Sequence, residues 1–189
     1  MAKVKLNPVL EGFRGKIGDL VFRRFNDEVI VGQTPNITDR EPTAGQLAHR
    51  ENFRLAVLYG RTALADSATK ALYEAAAKSK GQPVFALTVS DFFHAPAVDE
   101  IDIAGYTGKA GETIRIRASD DFEVIGVGVR ITDSGGAVLE QGGAARNGSI
   151  GAGWEYRTTT NLPSGQPVSI EVTATDRPGH KAIVTKTKA

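Results

Sequence analysis

The 189-residue sequence predicts an α+β protein: a β-hairpin and a helical hairpin first, then an all-β antiparallel sandwich. Three observations lead there. Apolar residues recur at helical spacing between Thr43 and Lys80, they alternate with a period of two beyond Glu100, and the change falls at Ala95-Pro96-Ala97. The chain is therefore divided into residues 1–97 and 98–189.

In the first half, Gly12, Gly15 and Gly18 space out a lead-in. Asp19 to Phe25 reads as a strand, Asn26-Asp27 as a turn, and Glu28 to Gly32 as the returning strand. A lone two-stranded hairpin is marginal in water, so it needs a surface to pack on. The following helices or another subunit are the candidates. Gln33 to Pro42 contains two prolines and is read as a loop. Thr43-Ala44-Gly45-Gln46 has the form of a capping box, so a helix starts here and runs to about Ala65, with Phe53, Ala56, Val57, Gly60 and Leu64 on one stripe. Asp66 or Ser67 caps a second helix, with Lys78 and Lys80 suited to its C-terminal dipole and Gly81 at its end. Pro83 opens either a third short helix or, through Val84-Phe85-Ala86-Leu87-Thr88-Val89, a strand.

The second half offers strands at Glu100–Ile103, Glu112–Ala118, Glu123–Thr132, Ala137–Gln141, Trp154–Thr160, Val168–Thr175 and Lys181–Lys186. Ile114 and Ile116 alternate with Arg115 and Arg117, and Val168, Ile170, Val172 and Ala174 alternate with Ser169, Glu171 and Thr173. Asp133-Ser134-Gly135-Gly136 and Leu162-Pro163-Ser164-Gly165 are turn chemistry. Short strands with one wet face each, at this spacing, describe a sandwich.

Composition removes several function classes. There is no Cys, hence no disulfide, thiolate metal site or Cys nucleophile. The net charge of +1, split as +3 and −2 between the halves, gives no case for nucleic-acid binding. Lys3, Lys5, Arg14, Lys16, Arg23 and Arg24 form a basic arm, but Glu11, Asp19, Asp27 and Glu28 dilute it. No apolar run approaches the ~20 residues of a membrane span. Glu11, Arg14, Lys16 and Asp19 interrupt any signal-peptide core, so the expectation is a cytoplasmic or particle-associated (virion) protein and not Sec export.

Motifs for chemistry are incomplete. Gly12 to Ile17 and Gly105 to Ala110 lack the first Gly and the final hydroxyl of a phosphate loop. Gly126-Val127-Gly128 lies in a strand pattern and marks a bulge or a close backbone approach. Ser149 precedes no helix, and His49, His94 and His180 read as solvated. Trp154 and Tyr156 read as core aromatics before they read as a carbohydrate platform.

Two resemblances add to this. Ala118-Ser119-Asp120-Asp121-Phe122, the Val-rich strand after it, Gly153-Trp154-Glu155-Tyr156, and Val172 to His180 resemble bacterial immunoglobulin-like and fibronectin-III-like modules, over about residues 98–189. Gly15-Lys16-Ile17-Gly18, Thr43, Gln46, Arg50 and Phe53 resemble an uncharacterised bacterial and phage-associated family, over about residues 12–65. The first resemblance implies an immunoglobulin-like sandwich, in which the loops after the second and sixth strands share one end. Asp120, Asp121 and Asp176 then sit together, either as oxygen ligands for Ca²⁺ or as caps of their own turns. No other cofactor and no catalytic residue is expected.

The functional expectation is a non-enzymatic assembly subunit, of a phage-like particle or filament, with the sandwich on display. Leu20, Phe22, Phe25, Val29 and Val31 of the hairpin are the expected subunit interface of a homo-oligomer or a contact to other particle proteins. The alternative is an adhesin-like module whose sandwich loops bind a protein or a surface glycan. Neither nucleic acid nor membrane is an expected partner.

Overall fold

The computed structural model describes residues 2–3, 14–25, 28–34, 41–148, 153–163 and 165–188. The chain divides into two units, Met1–Leu47 and Ala48–Ala189.

In the first unit the expected hairpin belongs to a larger sheet. Strands β1 (Ala2–Lys3), β2 (Gly15–Ile17), β3 (Leu20–Phe25) and β4 (Glu28–Gln33) pair antiparallel in the order β1-β4-β3-β2. The Gly-rich lead-in is thus partly strand. Its reversal into β3 passes through Gly18, whose φ of 59° suits a residue without Cβ. Gly12 and the turn pair Asn26-Asp27 lie outside the described residues.

The helices start and stop where local chemistry directs. Thr43 Oγ accepts from the amide of Gln46 at 3.3 Å, and Gln46 Oε1 accepts from the amide of Thr43 at 3.0 Å. This reciprocal capping box opens α1 (Ala44–Ala65). Asp66 accepts from the amide of Thr69 at 2.8 Å and opens α2 (Ser67–Lys80), which ends on left-handed Gly81. Residues 83–94, left open between helix and strand, hold α3 (Val84–Phe93), with Pro83 at its N-cap. Of the two alternatives offered for this stretch, the third helix is the one that forms. The buried side chains of α3 are Leu87, Thr88 and Asp91, at helical spacing, which outweighs the β-branched Val84, Thr88 and Val89. Ala63, Tyr73, Ala77 and Leu87 form the helical core, together with Phe122 from a turn of the sandwich.

The remaining strands are β5 (Ala97–Asp102), β6 (Thr113–Ser119), β7 (Val124–Asp133), β8 (Val138–Gly143), β9 (Ala145–Arg146), β10 (Gly153–Arg157), β11 (Val168–Asp176) and β12 (Lys181–Lys188). Each of the seven expected strands is present, shifted by a few residues, and β9 is added. They form two antiparallel sheets, β5-β6-β10-β9 and β12-β11-β7-β8. Strict alternation of β11, with Val168, Ile170, Val172 and Ala174 buried, faces Ile114 and Ile116 of the other sheet in one core. Trp154 and Tyr156 lie in that core. The β7 glycines sit beside a register shift between Thr175 and Asp176, opposite Gly126 and Val124. A Cβ at Gly126 or Gly128 would meet nothing within 4 Å, so a bulge and not close packing accounts for this stretch. The change from helix to strand at Ala97 falls inside the second unit.

Candidate functional site

A group of buried polar side chains in the second unit lies where the helices meet one end of the sandwich. Two turns supply the sandwich side. In the β6–β7 turn, Asp120 Oδ2 accepts from the amides of Phe122 at 3.2 Å and Glu123 at 3.0 Å. In the β11–β12 turn, Asp176 is fully buried; its Oδ1 accepts from the amides of Gly179 at 2.7 Å and His180 at 2.6 Å, and Oδ2 lies 2.9 Å from His180 Nδ1. Both carboxylates thus cap their own turns. Asp121 is exposed and points elsewhere, 2.9 Å from His94 Nδ1, while its carbonyl accepts from Lys80 Nζ. Among the described residues no group of three or more His, Asp or Glu side chains is placed to hold a metal ion.

The helices supply residues that the sequence did not single out. Asp91 on α3 is fully buried, and its Oδ2 accepts from the Tyr73 hydroxyl of α2. Because Tyr73 spends its proton there, the Tyr59 hydroxyl of α1, 2.7 Å away, donates to Tyr73. Tyr73 stacks on Phe122 and Phe92 sets its ring edge against His180, with centroids 5.2 Å apart. Arg177 donates to Glu123 Oε2 at 2.7 Å, joining the two turns. His180 is consequently half-buried and anchored, not solvated as expected; His49 and His94 are exposed. A sequence signal for Asp91 did exist: it falls on the same helical stripe as Leu87 and Thr88, where a solvated carboxylate does not belong.

Burial pushes the Asp91 carboxyl up to about 6; the Tyr73 hydroxyl opposes this, while the neighbouring Asp120 and Asp176 charges add to it. Burial, followed by the bonds to Asp91 and Tyr59, likewise raises the Tyr73 phenol far above its ordinary value.

The hairpin residues are ordered by register. Directly paired residues share a sheet face, and the pairs are Ile17–Leu20, Phe22–Val31, Arg24–Val29 and Leu20–Gln33. Leu20, Phe22, Val29 and Val31 therefore lie on one face, joined by Ile17, Arg24 and Gln33. The side chain of Phe25 lies outside the described residues, as does Ser149. Among the described residues no helix is long and apolar enough to cross a membrane.

No protein-family model matches the chain, and no curated protein matches it. Among solved structures, the crystal structure of CopC from Methylosinus trichosporium OB3b is similar to 49% of this chain and 89% of its own, at 14% identity and a TM-score of 0.37.

Proposed function

We propose that this chain is a non-enzymatic assembly subunit, of a phage-like particle or filament, which displays an immunoglobulin-like domain and associates with copies of itself through its N-terminal sheet. The observation that carries the reading is the largely apolar face of that sheet, on which Arg24 and Gln33 are the polar members. Val29 is buried, yet Ile17 and Leu20 on the same face are 49% and 44% exposed. Four strands, two of them of three residues or fewer, give a small sheet little apolar surface of its own to cover such a face. Other particle proteins are the further partners of this surface. The immunoglobulin-like assignment is supported by strand order: β5-β6-β10-β9 and β12-β11-β7-β8 correspond to the A-B-E-D and G-F-C-C′ orders of that topology.

The test uses the full chain with Ile17→Glu and Leu20→Glu together. Light scattering is expected to show large species for the unaltered protein and a monomer for the variant, with the same far-ultraviolet circular dichroism. A monomeric unaltered protein, or a variant of unchanged mass, would sink the reading.

A second reading, an adhesin-like module, is favoured by one feature. A cleft of about 250 Å³ at the end of the sandwich is lined by Ser119, Asp120, Glu123, Arg146 and Trp154. The Arg146 guanidinium lies 5.1 Å from the Trp154 ring centroid and 3.6 Å from Glu123. A protein or glycan ligand would enter here, and Arg146→Ala is expected to abolish its binding while leaving oligomers intact.

A further inference from the structure

Asp91 makes a demand that the hydrogen bonds around it do not meet. Its Oδ2 is served by Tyr73, but its Oδ1 is buried without a partner, and so is Oδ1 of Asp120. The two carboxyls lie within hydrogen-bonding reach of each other. Two charged carboxyls in contact repel, and their buried Oδ1 atoms forfeit hydration. A cation or a proton between them would relieve both. Ca²⁺ would need roughly six to eight oxygen ligands, which this pair does not approach. A single proton needs two.

We propose that Asp91 and Asp120 share one proton, and that this carboxyl–carboxylate hydrogen bond is an acid-strengthened clasp holding α3 to the β6–β7 turn of the sandwich. The proton resides on Asp91. Asp91 is fully enclosed and receives one hydroxyl, so burial disfavours its charged form. The groups facing Asp91 from the packed elements agree with this. Tyr59 of α1 and Tyr73 of α2 are neutral hydroxyls, and Asp176 at the end of β11 adds negative charge. The nearby cation Arg177 gives one terminal N–H to Glu123 and keeps a buried, unpartnered Nε, and His180 is turned to Asp176. The raised pKa of Asp91, about 6, sets the range over which the clasp releases. As pH rises through it, the proton leaves and two charges remain facing each other across the junction.

The test follows the Asp91 carboxyl by carbon-13 NMR in the full chain, together with amide exchange of α3 corrected for intrinsic rate. The unaltered protein is expected to titrate Asp91 near pH 6 and to lose α3 protection across the same range. Asp91→Asn keeps the shape, donates its amide to Asp120 and still accepts from Tyr73, so its α3 protection should be flat with pH. Asp120→Asn, whose amide donates to a charged Asp91, should move the Asp91 midpoint down towards the ordinary carboxylate range. The proposal is overturned by an Asp91 midpoint near 4 in the unaltered chain, or by pH-dependent α3 protection in Asp91→Asn equal to that of the parent. It is also overturned if Ca²⁺ raises the melting temperature of the unaltered chain but not of Asp91→Asn, which would put a metal ion where the proton is placed.

Discussion

The rings of Tyr73 and Phe122 are stacked, with centroids 4.0 Å apart and planes inclined by 11°. One ring belongs to a helix and the other to a turn between two strands, so this contact merges the helical core with the sandwich. Phe122→Ala should therefore cost on the order of 2 kcal/mol, somewhat below a fully buried Phe because Phe122 is half-buried. Urea unfolding followed by circular dichroism measures it, and a change below about 0.5 kcal/mol would show that the stack contributes no more than an ordinary surface site.

Gly60 sets how closely α1 and α3 approach. A Cβ built there would lie 2.6 Å from Thr88 Oγ and 3.1 Å from Phe85 Cε2. Thr88 is fully buried, and its hydroxyl donates to the Phe85 carbonyl at 2.8 Å. Relief requires moving either the hydroxyl or the helix. Although Ala is the better helix former, Gly60→Ala should destabilise by about 1–3 kcal/mol. Gly60→Ala with Thr88→Ala should recover most of that loss, a coupling that a double-mutant cycle reads directly.

Glu140 ties the two sheets of the sandwich together from inside. It lies on β8 and is only 6% exposed. Its Oε1 accepts from the Tyr156 hydroxyl of β10 at 2.8 Å, from the Thr159 amide at 2.6 Å and from the Thr159 hydroxyl at 3.0 Å; Oε2 accepts from the Thr160 amide at 3.2 Å. An ionised carboxylate can take all four donors, whereas Gln puts an NH₂ in front of one of them. Glu140→Gln is expected to lose on the order of 1–3 kcal/mol despite its near-identical shape, measured by denaturant unfolding at pH 7.

Much of this architecture was legible from residue order, for a physical reason. A strand such as β11 meets the core on one face and polar surroundings on the other, so period-two alternation in the sequence reports its burial directly. Caps at Thr43, Asp66 and Gly81 are local chemistry and were legible too. The second and third residues of the chain and the two-residue β9 are strands only because a neighbour pairs with them, which no local pattern records. The acidic junction was half legible. Asp120 and Asp176 were found because turn capping is local, whereas Asp91 and Tyr73 meet them only after three helices have packed.

The carboxyls of this protein pull its stability in opposite directions with pH. The Thr107 hydroxyl holds Glu112 down at about 2, against burial, with the amides of Thr107, Lys109 and Gly108 assisting. Glu140 is also held below its ordinary 4.5, because burial is outweighed by the Tyr156 hydroxyl and the Thr159 and Thr160 donors. For such lowered groups the stabilisation is complete above about 4.5 and is lost as pH falls through the folded-state value, near 2 for Glu112. Asp91 has the opposite sign. Its folded-state value of about 6 exceeds the ordinary 3.8, so its stabilisation is complete below about 3.8 and is lost as pH rises through about 6. Acidification from neutral pH to about 4.5 should therefore raise the melting temperature, and further acidification should lower it, giving a maximum on the acid side of pH 6. The two limbs separate genetically. Asp91→Asn should flatten the limb above the maximum and leave the acid limb, whereas Glu112→Gln should soften the acid limb and leave the neutral one. Scanning calorimetry from pH 3 to 8 on the three proteins decides it, and a parent whose melting temperature is level from pH 4.5 to 7 would show that the buried Asp91 does not titrate there.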